Sequence, residues 1–212
     1  MEKQRLIDYW RNSGIIKDEK LFKVFKEIAR ELFIRNENIG QVYGDHPLPI
    51  GYEQTISQPT TVMIMTQALE LEEGQKVLEV GTGSGWQAAI IGKYIGPRGK
   101  VITTEIVPEL ADFANNNLKK AKIKNVEVIH YDGSQGYEKE APYDRCIITA
   151  ACPKIPRPII DQLKENGIII APVGSLFFGQ DMIKLGKTKS GITTESLGSF
   201  IFVPLKGKHG YK

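Results

Sequence analysis

Three glycines at alternate positions, Gly81, Gly83 and Gly85, follow an acid in the run Glu79-Val80-Gly81-Thr82-Gly83-Ser84-Gly85, which leads from a β-branched stretch into a helical one. Without side chains, such residues let a backbone turn tightly and approach a ligand, and the N–H groups opening the next helix are free to receive an anionic group. A glycine turn between strand and helix also occurs as pure structure. Glu105 closes the next β-branched run, at the distance downstream where one carboxylate can accept both hydroxyls of a ribose. That implies a nucleoside. The spacing is G-x-G-x-G, whereas dinucleotide binders favour G-x-G-x-x-G, and Glu79 directly before the loop would repel a pyrophosphate. An acid there suits a cationic ligand end. S-adenosylmethionine has a sulfonium and an ammonium, no phosphate, and one carboxylate for the loop N–H groups. Tyr131-Asp132-Gly133 closes a third run, where Asp132 is placed to accept an exocyclic adenine N–H and Gly133 leaves room for the ring.

Other chemistries find less support. His46, His130 and His209 lie far apart without metal-ligand spacing, and Cys146 and Cys152 have no second pair to complete a zinc site or a disulfide framework. No metal is expected. The formal charge of +3 is spread over lysines interleaved with glutamates, the pattern of solvated helix faces and not of a nucleic-acid surface. No apolar run approaches the roughly 18 residues of a membrane span, and MEKQRLIDYW has no secretory core, so a cytoplasmic protein without membrane or nucleic-acid partners is expected.

The elements that must position these residues divide the chain at about residue 73. Residues 1–73 read as an N-terminal helical extension with a substrate loop: Leu6, Ile7 and Trp10, then Leu21, Phe22, Val24, Phe25, Ile28 and Leu32, have helical spacing. Between Asn36 and Pro59 the breakers are too frequent for a helix interior, and the stretch is too long for a simple connector, which suggests a functional loop. TTVMIMTQALEL then has helical period and length. Residues 74–212 read as the cofactor-binding core, with strands KVLEV, KVITTE, VEVIH, RCIITAA and GIIIAPV alternating with helices WQAAIIGKYI, PELADFANNNLKKA and PRPIIDQLKE. That rhythm predicts an α/β fold, Rossmann-like and doubly wound, with a mostly parallel sheet. MIKLGKTKSGITTESLGSFIFVPL, with a turn at Lys189 to Gly191, predicts an antiparallel C-terminal edge.

VLEVGTGSGW, the acid at Glu105 and the YDG run resemble the motifs of class I S-adenosylmethionine-dependent methyltransferases. The resemblance implies that Glu79 shapes the methionine end of the site, that Glu105 binds ribose and that Asp132 contacts adenine, with S-adenosyl-L-homocysteine as product. Trp86 is expected to pack behind the loop. Outside these motifs, GIIKDEKLFKVFKEIARELF, PLPIGYEQTISQPTTV, APYDRCIITAACPKIPRPIIDQL and FVPLKGKHG resemble the protein-L-isoaspartate methyltransferase family nearly end to end. Membership implies methyl transfer to the free α-carboxylate of isoaspartyl residues in damaged proteins and peptides, with Ser57 as the catalytic-site serine and repair through a succinimide. Thr60, Thr61 and Cys152 depart from the family pattern beside its motifs, and bear on peptide preference.

The chemistry agrees with a serine that is not a nucleophile. A carboxylate with an ordinary pKa of about 3 to 4 is already ionised at neutral pH, so it needs alignment, not a strong base. Thr55, Ile56 and Val203 are expected to bind the substrate, through backbone groups that pair with an extended peptide. The enzyme is expected to act as a monomer. A nucleic-acid methyltransferase is less well supported, because no Asn/Asp-Pro-Pro-aromatic run is present and Ala151-Cys152-Pro153 reverses the Pro-Cys order of cytosine C5 enzymes. A noncatalytic binding module and an NAD-dependent oxidoreductase stay open on the residues alone.

Overall fold

A computed structural model describes residues 2–211. The chain opens with two helices, α1 (Glu2–Ser13) and α2 (Glu19–Glu27). Leu6, Ile7 and Trp10 form the buried face of α1, while Asp18 caps α2 by accepting from the backbone N–H groups of Lys20 (2.8 Å) and Leu21 (3.1 Å). Two 3-10 turns follow, Arg30–Phe33 and Asn36–Gln41.

The stretch between Asn36 and Pro59, expected to be a loop, contains the second of these turns and a hairpin of β1 (Leu48–Gly51) and β2 (Gln54–Ile56), paired Leu48 to Ile56 and Pro49 to Thr55. Its two-residue connection, Tyr52-Glu53, has φ of 55° and 60°. Such a turn normally announces itself by Asn-Gly or Asp-Gly, and here it does not. Helix α3 (Pro59–Ala68) starts on a proline, and its N-cap residue Gln58 makes no side-chain cap. Asp45 supplies that cap from the hairpin's approach, accepting from Thr60 N (2.9 Å) and Thr60 Oγ1 (2.6 Å).

The remaining elements are β3 (Lys76–Val80), α4 (Trp86–Ile95), β4 (Lys100–Glu105), α5 (Pro108–Lys120), β5 (Val126–His130), β6 (Tyr143–Ile148), α6 (Arg157–Asp161), β7 (Leu163–Ser175), β8 (Gly179–Thr188) and β9 (Gly191–Phe200). They form a sheet of order β5-β4-β3-β6-β7-β8-β9, parallel from β5 to β7 and antiparallel from β7 to β9. The expected α/β fold with an antiparallel C-terminal edge is therefore observed. One element is shorter than predicted: PRPIIDQLKE is helical only over Arg157–Asp161, and its LKE already belongs to β7. Leu163 pairs with Tyr143 and is buried, so strand pairing overrides local helix propensity.

From β3 the chain proceeds to β4 and β5 on one side and then returns to β6 on the other. The carboxyl ends of β3 and β6 thus flank a topological switch point, where open α/β sheets bind ligands. The N-terminal elements do not stand apart from it. Trp10, Phe25, Phe33, Ile50 and Ile56 share one buried cluster with Trp86 and Ile90 of α4 and Leu110 of α5. Among the described residues no helix is long and apolar enough to cross a membrane.

Candidate active site

A cleft at the switch point gathers residues from seven stretches of chain: Gln54 to Ser57, Val62 and Met65 of α3, the loop after β3, the end of β4 at Glu105, Gly133 after β5, Thr149 and Ala150 after β6, and Val203 to Lys206. The loop's form follows from its glycines. Gly81, Gly83 and Gly85 have φ of 95°, 52° and 85°, the left-handed region that side chains disfavour. Gly81 also lies so close to β6 that a Cβ there would stand 2.5 Å from Thr149 Oγ1. Gly85 meets Ala114 and Leu118 of α5 and does not line the cleft, so its part is helix packing.

Glu105 sets the loop's position. Its Oε2 accepts from Gly83 N (2.8 Å) and its Oε1 from Val107 N (3.0 Å), which leaves each oxygen a further lone pair in a cleft-lining, buried carboxylate. Two fixed acceptors on one group match the paired hydroxyls of a ribose. Gly133 lines the same wall, and a Cβ there would run into Thr104 Oγ1 at 2.1 Å and Val80 Cγ1 at 2.8 Å. Its glycine serves close approach to the sheet.

Two acids named from the sequence stand behind the cleft and not in its lining. Glu79 is fully buried; its Oε2 accepts from Thr103 Oγ1, which in turn bonds Thr82 Oγ1 of the loop at 2.7 Å, and its Oε1 has no partner among the described residues. Burial pushes its carboxyl up to about 8, and the negative charge of Glu105 adds to that shift against the Thr103 hydrogen bond. An orphaned acid oxygen behind the loop fits the cationic end of a ligand. Asp132 is largely engaged by the protein: Oδ1 accepts from Ser134 N (3.0 Å) and Ser134 Oγ (2.6 Å), and Oδ2 from Lys208 N (2.8 Å). It straps the C-terminal segment over the end of β5.

On the opposite wall, Ser57 follows β2 and precedes α3. Its carbonyl accepts from Arg30 Nη2 at 2.9 Å, its hydroxyl has no hydrogen-bond partner among the described residues, and the residue lines the cleft. Ile56 is buried and Thr55 exposed; β2 is one edge of a two-stranded sheet, so its outer side has no strand partner. Val203 O accepts from Ala151 N (2.8 Å), and Val203 N is without a partner among the described residues. Trp86, expected behind the loop, is 1% exposed, packs edge-on to Phe25 at 6.2 Å, and also lines the cleft.

Sequence reasoning missed Arg30, Asp45 and the threonine pair Thr82 and Thr103. A lone arginine in ARELF reads as a surface residue, and no local signal tells a strand threonine that bonds a buried acid from one that merely favours β structure. Cys146 and Cys152 are free buried thiols, and no metal-binding cluster exists among the described residues.

A family model described as protein-L-isoaspartate(D-aspartate) O-methyltransferase matches residues 1–210. A protein-L-isoaspartate O-methyltransferase of Archaeoglobus fulgidus is 48% identical over 194 residues, covering 91% of this chain and 88% of its relative. A solved protein-L-isoaspartate O-methyltransferase superposes with a TM-score of 0.89 at 27% identity, over 98% of this chain and 67% of the other. A Plasmodium falciparum structure bearing the same activity in its description, in complex with S-adenosyl-L-homocysteine, gives 0.82 at 26% identity over 95% and 97% of the two chains. The match runs through the hairpin and the C-terminal strap as well as the glycine loop, and this chain belongs to the protein-L-isoaspartate O-methyltransferase family.

Proposed function

We propose that this chain transfers a methyl group from S-adenosylmethionine to the free α-carboxylate of L-isoaspartyl residues in damaged proteins and peptides, initiating repair through a succinimide. S-adenosylmethionine supplies the electrophilic methyl group. Glu105 accepts the ribose hydroxyls, the glycine loop gives the amino-acid end close backbone approach while its Gly81, Thr82, Gly83 and Gly85 N–H groups stay bonded to Thr104 O, Glu105 and Thr82 O, and Glu79 lies behind Thr82, where a cationic ligand end would draw its carboxyl back toward the ionised form. Gly133 forms the adenine wall, and Asp132 holds that wall and the C-terminal segment together.

One observation carries the reading: Ser57, whose hydroxyl has no hydrogen-bond partner among the described residues, lines the same cleft as the loop and Glu105. The isoaspartyl α-carboxylate is ionised at neutral pH, so Ser57 removes no proton; it donates to one carboxylate oxygen and leaves the other aimed at the methyl group. Such alignment supplies on the order of 7–11 kcal/mol in favourable cases. The open edge of β2 at Thr55 and Ile56, and the free Val203 N–H, offer main-chain pairing on either side of that carboxylate. Main-chain pairing measures the extra backbone methylene of the isopeptide and tolerates different neighbouring side chains. The reading includes a cytoplasmic monomer, and two buried free thiols suit a reducing compartment.

Ser57→Ala tests the assignment. It should lower kcat on an isoaspartyl peptide while leaving calorimetric affinity for S-adenosyl-L-homocysteine unchanged. An unaltered kcat would remove Ser57 from the reaction.

A further inference from the structure

Arg30 is buried with no exposed surface, yet it forms no ion pair among the described residues and its Nε has no partner. Each terminal nitrogen of the guanidinium donates to one backbone carbonyl, Nη1 to Val42 O and Nη2 to Ser57 O at 2.9 Å. Its plane stacks on Trp86, 4.8 Å from the ring centroid, on the side of the core that carries the glycine-loop helix. Burial lowers its pKa only to about 10, so the charge persists at neutral pH. A buried cation without a carboxylate is a costly way to fill a core that a methionine or leucine would fill more favourably.

The position explains the expense. Ser57 sits between β2, which ends at Ile56, and α3, which starts at Pro59, and its hydroxyl makes no hydrogen bond among the described residues. On the far side, the Asp45 carboxylate pins Thr60. On the near side, Arg30 is the hydrogen-bond partner of the Ser57 carbonyl among the described residues. A held carbonyl fixes the peptide plane, and with it the direction in which the Ser57 Cβ and hydroxyl leave the backbone. The planar fork reaches two carbonyls and an aromatic face at once, a task a lysine ammonium cannot share out.

We infer that Arg30 is a positioning residue for methyl transfer, clamping the Ser57 carbonyl against the Trp86 wall so that the serine hydroxyl meets the substrate carboxylate in register. The inference rests on the proposed role of Ser57. It is tested by a double-mutant cycle of Arg30→Lys and Ser57→Ala, with rates referred to the protein that binds S-adenosyl-L-homocysteine by calorimetry, and with Arg30→Gln as a second variant. Arg30→Lys should lower kcat on the order of 10- to 100-fold, the loss expected of a displaced orienting group, with little change in peptide KM or in affinity for S-adenosyl-L-homocysteine. In the Ser57→Ala background the same substitution should add almost nothing. Losses that multiply would show that Arg30 does not act through Ser57, and would overturn the inference. A Ser57→Ala variant with full kcat would instead sink the role of Ser57 itself. If both arginine variants lose S-adenosyl-L-homocysteine binding, Arg30 is a core residue and the inference is refuted.

Discussion

Replacing Glu105 by alanine removes the carboxylate that both holds the glycine loop and lines the cleft. Its two oxygens accept from Gly83 N and Val107 N at 2.8 and 3.0 Å and, in the proposed complex, from two ribose hydroxyls. A hydrogen bond to a charged group contributes about 1.5–3 kcal/mol, and the two hydroxyls share one carboxylate, so roughly 3 kcal/mol of cofactor affinity should disappear. That is about two orders of magnitude in Kd. Calorimetry with S-adenosyl-L-homocysteine reads the change, and circular dichroism checks the fold. Comparison with the 2′-deoxy analogue separates direct loss from loop disturbance, because the analogue should bind worse than the parent to the wild type and equally to the alanine variant. A folded Glu105→Ala protein with unchanged Kd, or an analogue penalty that survives in it, would refute the ribose assignment.

Glu79 and the α3 cap give two further tests. Since the folded protein raises the Glu79 carboxyl from 4.5 to about 8, it holds a proton that the unfolded chain has released, and stability should fall as pH rises through that window. Cofactor-free wild type should lose roughly 2 kcal/mol more than Glu79→Gln between about pH 5.5 and about pH 7.5 in urea unfolding; parallel curves would mean that Glu79 is ionised in the folded state. Thr60→Val removes the hydroxyl that accepts from Trp10 Nε1 at 2.7 Å and donates to Asp45, and strands the indole N–H in the core. A cost of about 2 kcal/mol follows, read as a Tm lower by roughly 4–8 °C, and an unchanged Tm would deny the cap its structural weight.

The parallel strands were legible because their apolar β-branched runs are buried on both faces, as in KVLEV and KVITTE, and because each is followed by a helix with its own period. That the glycine loop and Glu105 meet in one cleft was legible for a different reason: each closes a strand of the same parallel sheet, at the ends of neighbours β3 and β4. Where tertiary pairing decides, the local pattern failed. The β1–β2 hairpin hides behind Pro49 and a turn of non-glycine residues at positive φ, and Leu163 leaves a helical run to pair with Tyr143. The roles of Glu79 and Asp132 depended on partners far along the chain. Thr103 lies 24 positions from Glu79, and Lys208 lies 76 from Asp132, so neither the burial of the one nor the strap held by the other has a local signature. Arg30 is the extreme case, because only the folded chain reveals that its surroundings are a core.

Transfer of labelled methyl from S-adenosylmethionine to paired peptides, identical except for one L-isoaspartyl or normal aspartyl residue, tests the central claim most directly. Only the isomer presents its free α-carboxylate from a main chain lengthened by one methylene, and that carboxylate is the group the proposed role of Ser57 requires. The isoaspartyl peptide should be methylated and, through succinimide closure and reopening over repeated cycles, converted in part to the aspartyl peptide on chromatography, while the aspartyl peptide takes up little label. Equal labelling of the two peptides, or transfer only to nucleic acid, would contradict the account.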